Sequence, residues 1–392
     1  MATLKEIQKA LQDAHIDGWL FADFHQRDLI SYRILSLDQT GMTTRRWFYF
    51  IPAEGMPQKI VSAVEAGKLD SLEGEKHTYR SWQQLHELLR AVLAGIKRVA
   101  MQYSPKNNIP YVSTVDAGTV DLIRSFGLEV VSSASLVQQF DGLVSEASLR
   151  SHRSAGAIVH RIKDESFDLI RRSVRAQREL TEYDVAQFIL QRFDQEGLTT
   201  DSVPIVGVNE HPADPHFEPT PANTYAIKMG DTVLIDLWAK LKTPSSIYYD
   251  ITWCGFVGEN PPARYAEIFL QVVRARDATI EYLRRKLSSG KMCYGYELDE
   301  VARRSIAEAG FGEYFIHRTG HSIGEEVHGN GVNIDNLETH DDRPIVPGAL
   351  FSIEPGIYLP GEMAARTEVN VYVTSDWQVE ITGPTQQALI LL

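Results

Sequence analysis

Cysteine is nearly absent: Cys254 and Cys293 are the only two in 392 residues. Two thiols exclude a disulfide framework and fall short of a zinc site built from cysteine. Long apolar runs are missing as well, none approaching the ~20 residues that a membrane-spanning helix needs. The opening stretch, Met1 to Gln12, is charged and amphipathic and lacks the apolar core of a signal peptide. Clustered Lys and Arg are also lacking, and the formal net charge of −13 is of the wrong sign for a nucleic-acid binder. No nucleic-acid or membrane partner is therefore expected, and the expected location is cytoplasmic. The acidic excess favours solubility. Part of it is also available to hold cations, provided the carboxylates converge.

What is present is an ordinary globular pattern in two parts. In the first, Thr3 and Glu6 form a capping box that opens a helix to about Ala14. Strands are expected at 18–21, 47–51, 98–102 and 128–131, and helices at 83–93 and 116–125. That alternation predicts an α/β domain with a mixed sheet. The pattern changes between Asp141 and Leu149, and one long helix is expected over 151–178, so the boundary is set at residue 145: 1–145 and 146–392. In the second part, helices over 182–196, 263–286 and 297–309 each end at a glycine suited to a helix C-terminus: Gly197, Gly290 and Gly310. Strands interleave at 203–208, 232–238, 248–257, 350–353 and 367–373, giving an α+β layer.

Five potential ligands stand on or beside those strands: Asp236, Asp250, His321, Glu354 and Glu368. Asp236 lies inside the apolar run Val233-Leu234-Ile235-Asp236-Leu237, where an ionised carboxylate needs a partner or a cation. Asp250 follows fourteen residues later, across a turn, so a hairpin can set the two side by side. Glu354 ends Phe351-Ser352-Ile353 before Pro355-Gly356, and Glu368 begins the strand expected two residues after Arg366. Taken singly, each has an ordinary reading as a turn cap or a satisfied core residue. Four carboxylates meeting without cations would repel one another and take up protons. Two divalent ions make the arrangement favourable, and oxygen ligands with one imidazole suit Mn²⁺, Co²⁺, Fe²⁺ or Zn²⁺.

The stretches Gly207-Val208-Asn209 through Pro215-His216, Leu234-Ile235-Asp236, Tyr249-Asp250-Ile251-Thr252, His317-Arg318-Thr319-Gly320-His321-Ser322-Ile323-Gly324 with His328, Ile353-Glu354-Pro355-Gly356-Ile357-Tyr358, and Arg366-Thr367-Glu368 occur in one order. In that order they resemble the successive signatures of the creatinase / methionine aminopeptidase / Xaa-Pro aminopeptidase superfamily, the pita-bread metallopeptidases of family M24. The extra N-terminal domain is similar to that of the prolidase-like branch. The resemblance implies a C-terminal pita-bread domain behind a smaller creatinase-type α/β domain. It also implies a homodimer and an exopeptidase that hydrolyses Xaa-Pro bonds of dipeptides or peptide N-termini through a hydroxide bridging two metal ions, Mn²⁺ foremost. Under it Asp236 holds one ion, Asp250 and Glu368 bridge both, and His321 and Glu354 complete the second. Glu354 also passes a proton to the leaving nitrogen. His216 would bond the scissile carbonyl or the intermediate formed from it, and His328 would orient the peptide. Arg366 would support Glu368 from the same strand face, and His317 would either line the cleft or serve the structure.

Three features depart from the pattern: Leu237-Trp238 after Asp236 in place of the usual x-Gly, an interval between the aspartates about three residues longer, and Gly329-Asn330-Gly331 after His328 in place of an acid. All three bear on substrate preference. Two other readings are a creatinase-like C–N hydrolase and a catalytically silent pita-bread interaction module. Both usually lack the five ligands, and all five are present here.

Overall fold

The computed structural model describes residues 3–392. The chain divides into two compact units between Asp141 and Gly142, four residues before the expected limit.

In the first unit the elements run α1 (Leu4–Asp13), β1 (Gly18–Asp23), α2 (Leu29–Ile34), β2 (Trp47–Pro52), β3 (Gln58–Ser62), β4 (Glu75–Tyr79), α3 (Trp82–Val92), β5 (Arg98–Met101), α4 (Ala117–Arg124), β6 (Glu129–Ser132) and α5 (Ala134–Val137). The capping box is present, with Thr3 Oγ1 accepting from the Glu6 amide and Glu6 accepting from the Thr3 amide. Six strands form one mixed sheet in the order β4-β3-β2-β1-β5-β6. Both faces are covered: Trp19, Phe21 and Trp47 enter one apolar cluster, while Leu20, Phe48 and Phe50 enter the other. Residues on opposite sides of the pleat thus pack two separate layers, which is why these strands read as unbroken apolar runs. β3 and β4 were not expected from the sequence, since Lys59, Lys76 and His77 interrupt their apolar signal.

The second unit begins with α6 (Glu146–Arg175) and α7 (Glu182–Gln195). The long helix starts five residues earlier than expected because Ser145 caps it, its hydroxyl accepting from the Ser148 amide. Then follow β7 (Leu198–Thr199), β8 (Ile205–Val208), β9 (Thr232–Leu241), β10 (Tyr249–Phe256), α8 (Ala263–Ser288), α9 (Gly295–Glu308), β11 (Leu350–Ile353), β12 (Gly356–Leu359), β13 (Met363–Arg366), β14 (Val369–Val373), β15 (Val379–Ile381) and β16 (Ile390–Leu391). β9 is the hub, pairing antiparallel with β7, β8 and β10, while β16 adds to β10. Along β9 the period of two separates roles: Val233, Ile235, Leu237 and Ala239 join the core shared with α6 and α7. Asp236 and Trp238 necessarily face the other way. The hairpin β12–β13 was not expected, and it separates Arg366 from the strand that follows. No helix among the described residues is long and apolar enough to cross a membrane.

α6 is tied to β10 by a buried histidine. His152 Nδ1–H donates to the Tyr248 carbonyl at 2.5 Å, and Nε2 meets Thr382 Oγ1 at 2.8 Å. Burial pushes the imidazole pKa from 6.5 down to about 4. Between those values the unfolded chain binds more protons than the folded one, so stability rises with pH across this window and is complete above about 6.5. Acidification from pH 6.5 to 4 is therefore expected to remove about 3 kcal/mol through this residue alone. Urea melts at several pH values, with His152→Gln as the non-titrating control, measure it. An unchanged slope in the control would assign the effect elsewhere.

Candidate metal centre

The β9–β10 register builds the floor of the site. Asp236 pairs with Thr252, and Asp250 with Trp238. Directly opposed residues of an antiparallel pair share a face, so these four side chains stand together, the two aspartates on a diagonal. The Asn370 side chain grips the open edge of β10: its Oδ1 accepts from the Asp250 amide and its Nδ2–H donates to the Asp250 carbonyl. Asp250 is thereby held against β14.

The histidine and the glutamates arrive by backbone bonds outside the main sheet. Residues 319–322 run beside β11, with Ser352 N–H donating to the His321 carbonyl (2.9 Å) and Glu354 N–H to that of Thr319 (2.8 Å). Gly320 makes this approach feasible, since a Cβ there would lie 2.0 Å from the Ser352 carbonyl oxygen. Ser352 Oγ accepts from the His321 amide and donates to Glu354 Oε1, both at 2.9 Å. Glu368 does not begin a strand as expected. It lies in the break between β13 and β14, because its N–H turns to the Thr252 carbonyl (3.2 Å) instead of continuing a ladder.

Three of the five expected ligands form one group, and the other two lie beside it. Asp250, His321 and Glu368 each offer a ligand atom within 4.8 Å of the other two. His321 Nε2 lies 3.3 Å from Glu354 Oε1 and 3.6 Å from Asp250 Oδ2. Asp236 joins through Arg366, whose Nη2 is 2.5 Å from Asp236 Oδ2 and whose Nε is 3.9 Å from Glu354 Oε2. Arg366 thus pairs directly with Asp236, and it reaches Glu368 only through Thr252. Its Nε–H donates to Thr252 Oγ1 (2.9 Å), which donates to Glu368 Oε2 (3.0 Å). The shared strand face assumed for Arg366 and Glu368 does not exist, because Arg366 ends β13.

Electrostatics mark this as a site built for positive charge. Burial, then the neighbouring Asp250 and Glu354 charges, push Asp236 up to about 7, although Arg366 opposes them. Burial raises Asp250 too, and lifts Glu368 well above the usual carboxylate range with help from Asp250, Glu354 and Asp236. Glu354 alone goes down, since His321, His317 and Arg366 together outweigh its burial. One oxygen each of Asp236, Asp250 and Glu368 (Oδ1, Oδ1 and Oε1) is buried without a hydrogen-bond partner. Orphaned carboxylate oxygens are costly unless a cation meets them. His321 fits the same reading. Its Nδ1–H donates to the Ser322 carbonyl (3.2 Å), which leaves Nε2 facing two carboxylates. The residues present therefore fit divalent ions.

Of the remaining expected residues, His328 stands edge-on to His321 with ring centroids 4.4 Å apart. The His321 charge and burial push it down to about 3, so it is a neutral hydrogen-bonding group. His216 lies on an exposed loop, close enough for its charge to act on His328. His317 donates from Nδ1 to the Arg318 carbonyl (2.6 Å) and accepts at Nε2 from Tyr358 Oη–H (2.7 Å). Tyr358 in turn accepts from Arg366 Nη1 (2.9 Å). His317 therefore ends a chain that runs through Tyr358 to Arg366.

Sequence reasoning passed over Thr252, Tyr358, Ser352 and Asn370. Thr252 was detectable, because it lies two residues from Asp250 and so shares its face. Trp238, in place of the usual glycine, is half-buried, donates from Nε1 to Asp201 Oδ1 at 2.6 Å, and packs against clusters containing Ile205 on one side and Val327 on the other. It forms a wall of the site beside Asp250.

A family model described as metallopeptidase family M24 matches residues 150–375. The probable dipeptidase PepE of Mycobacterium tuberculosis is 28% identical over 346 residues, which cover 87% of this chain and 84% of that one. The Xaa-Pro dipeptidase of Lactobacillus helveticus is 35% identical over 212 residues, 54% of this chain and 51% of that one. The crystal structure of dipeptidase PepE from Mycobacterium ulcerans superposes with a TM-score of 0.72 at 24% identity, covering 99% of this chain and 96% of its own. The fold is thus the one expected from the sequence, a pita-bread domain preceded by a smaller α/β domain.

Proposed function

The chain belongs to metallopeptidase family M24, in its prolidase-like branch, and from that premise we propose that this metallopeptidase hydrolyses the bond before proline in dipeptides or at peptide N-termini, using two divalent ions. One observation carries the reading: Asp250, His321 and Glu368 bring ligand atoms within 4.8 Å of one another, and Asp236, Asp250 and Glu368 each bury an oxygen that has no hydrogen-bond partner. Asp236 would hold one ion, Asp250 and Glu368 both, and His321 with Glu354 the other. When bound, the ions supply Lewis-acid polarisation of the peptide carbonyl and acidify water.

The chain supplies the rest. Glu354, held below the usual carboxylate range by His321, His317 and Arg366 and oriented by Ser352, accepts the proton of the attacking water at a carboxylate oxygen and returns it to the departing nitrogen. His328, held neutral, offers substrate a hydrogen bond without adding charge. His216 supports the oxygen on which charge develops. Proline preference rests on the names of the Xaa-Pro dipeptidase relatives. Manganese as the native ion, a homodimer and a cytoplasmic location belong to the same proposal, the first supported by the oxygen-rich donor set.

Chelator-treated protein is expected to be inactive and to regain Xaa-Pro hydrolysis with Mn²⁺ or Co²⁺, with about two ions per chain by elemental analysis, the number a paired-ion site requires. Equal turnover of Xaa-Pro and Xaa-Ala dipeptides would reject the proline preference. Protein that takes up no divalent ion would reject the whole reading.

A further inference from the structure

His216 sits on the loop that leaves β8 after Val208, and that loop is held from below by a carboxylate the proposed chemistry does not use. Glu182, at the start of α7, is fully buried and caps nothing in its own helix; Thr181 does that. Its carboxylate instead accepts from three places in the chain: the Val208 amide (2.7 Å), the Tyr225 amide (2.7 Å), and Nδ1–H of His211, which lies 2.9 Å from both oxygens. Burial raises the Glu182 pKa, so the carboxylate is retained by these donors.

The His211 ring is stacked on both faces, against Phe217 (centroids 4.2 Å apart) and Tyr225 (3.9 Å). Phe217 is buried and directly follows His216. The start of the loop is fixed as well. Asn209 adopts a left-handed φ of 56°, its Nδ2–H donating to Asp231 and its Oδ1 accepting from the Thr232 amide. Pro212 is pressed so close to Gly207 that a Cβ there would come within 2.8 Å of its ring. Between His211 and Phe217 the chain makes one short step, in which the Asp214 amide donates to the His211 carbonyl (3.1 Å) and the His216 amide to Asp214 Oδ1 (3.0 Å).

We propose that Glu182 and His211 are positioning residues for His216: the buried carboxylate orients the imidazole, the imidazole is clamped between Phe217 and Tyr225, and the clamp fixes where His216 meets the substrate. The proposal rests on the role given to His216 above. Outer partners that orient a functional histidine typically matter by 10–100-fold when removed, whereas a purely structural tie would cost the same whether or not His216 were present.

The test is a double-mutant cycle on the Mn²⁺-loaded enzyme, using the dipeptide that the wild type cleaves best. His211→Phe keeps the ring stack and deletes the donor. It is expected to lower kcat/KM by roughly 10–100-fold, with metal content unchanged. In a His216→Ala background the same substitution is expected to cost less than about twofold, since neighbours acting as a unit are not additive. Equal losses in the two backgrounds would overturn the proposal, as would a large His211→Phe effect beside a silent His216→Ala. Glu182→Gln, which keeps the side-chain shape but turns an amide toward a backbone N–H, reads the same coupling should His211→Phe not fold. Failure of the underlying functional reading is visible separately, as wild-type enzyme that cleaves no dipeptide.

Discussion

Glu368→Gln is expected to cut turnover by on the order of 10³-fold or more, since a lost ligand removes several kcal/mol of transition-state stabilisation, and at the same time to raise the melting temperature of the chelator-treated protein. The two effects have one cause. Glu368 is 2% exposed, with one oxygen accepting from Thr252 and the other unpartnered. Its proton affinity is driven up by burial and then by Asp250, Glu354 and Asp236. A glutamine of the same shape keeps the Thr252 bond, relieves the repulsion and offers N–H groups to orphaned oxygens. The gain without metal is set at about 1–2 kcal/mol, the usual return for relieving a functional site of its strain.

With divalent ions the order reverses. The wild type gains about 4 kcal/mol at an ion concentration a thousand times the Kd, while the variant has lost a shared ligand and gains far less. Two melting series, with chelator and with Mn²⁺, should therefore cross. A variant less stable than wild type in chelator would show that these carboxylates are not in mutual repulsion, and the argument for a cation-built centre would fall with it.

How much of this centre could be read from the sequence depended on distance along the chain. Asp236 was conspicuous because a carboxylate interrupts an apolar strand, and Asp250 because a hairpin returns it to the same place. Both inferences use only a period of two and one turn. Two neighbouring strands at one side of the first sheet, β3 and the edge strand β4, were missed because Lys59, Lys76 and His77 sit where apolar residues were sought; an edge strand needs no apolar face on both sides. Arg366 was given the wrong partner because the hairpin β12–β13 was not foreseen. Without that break, Arg366 and Glu368 look like two positions on one strand face. Glu182 and His211 were beyond reach for a different reason: a buried glutamate opening an amphipathic helix reads as an ordinary first-turn acid, and nothing in its own helix says which donors it meets 26 and 29 residues later.

Arg366→Ala is the complementary experiment, and its expected sign is opposite. The guanidinium is 4% exposed and serves three acceptors from its three nitrogens: Asp236, Tyr358 and Thr252. It also lies beside Glu354. Deleting it strands Asp236 among like charges and frees the Tyr358–His317 chain from its brace. Breaking a buried pair by removing one partner costs about 3–5 kcal/mol, which for a unit of this size lowers the melting temperature by roughly 10 °C. Arg366→Lys should fall between, because an ammonium keeps the charge but cannot span three acceptors with a fixed fork. If the cost is electrostatic, it must shrink when one of the negative charges is absent. Arg366→Ala is therefore expected to cost less in a Glu368→Gln background than in the wild type, both measured in chelator. Equal costs in the two backgrounds would mean that Arg366 holds the site by packing and hydrogen bonds rather than by charge. That outcome would leave the excess negative charge of the centre without its internal counterweight.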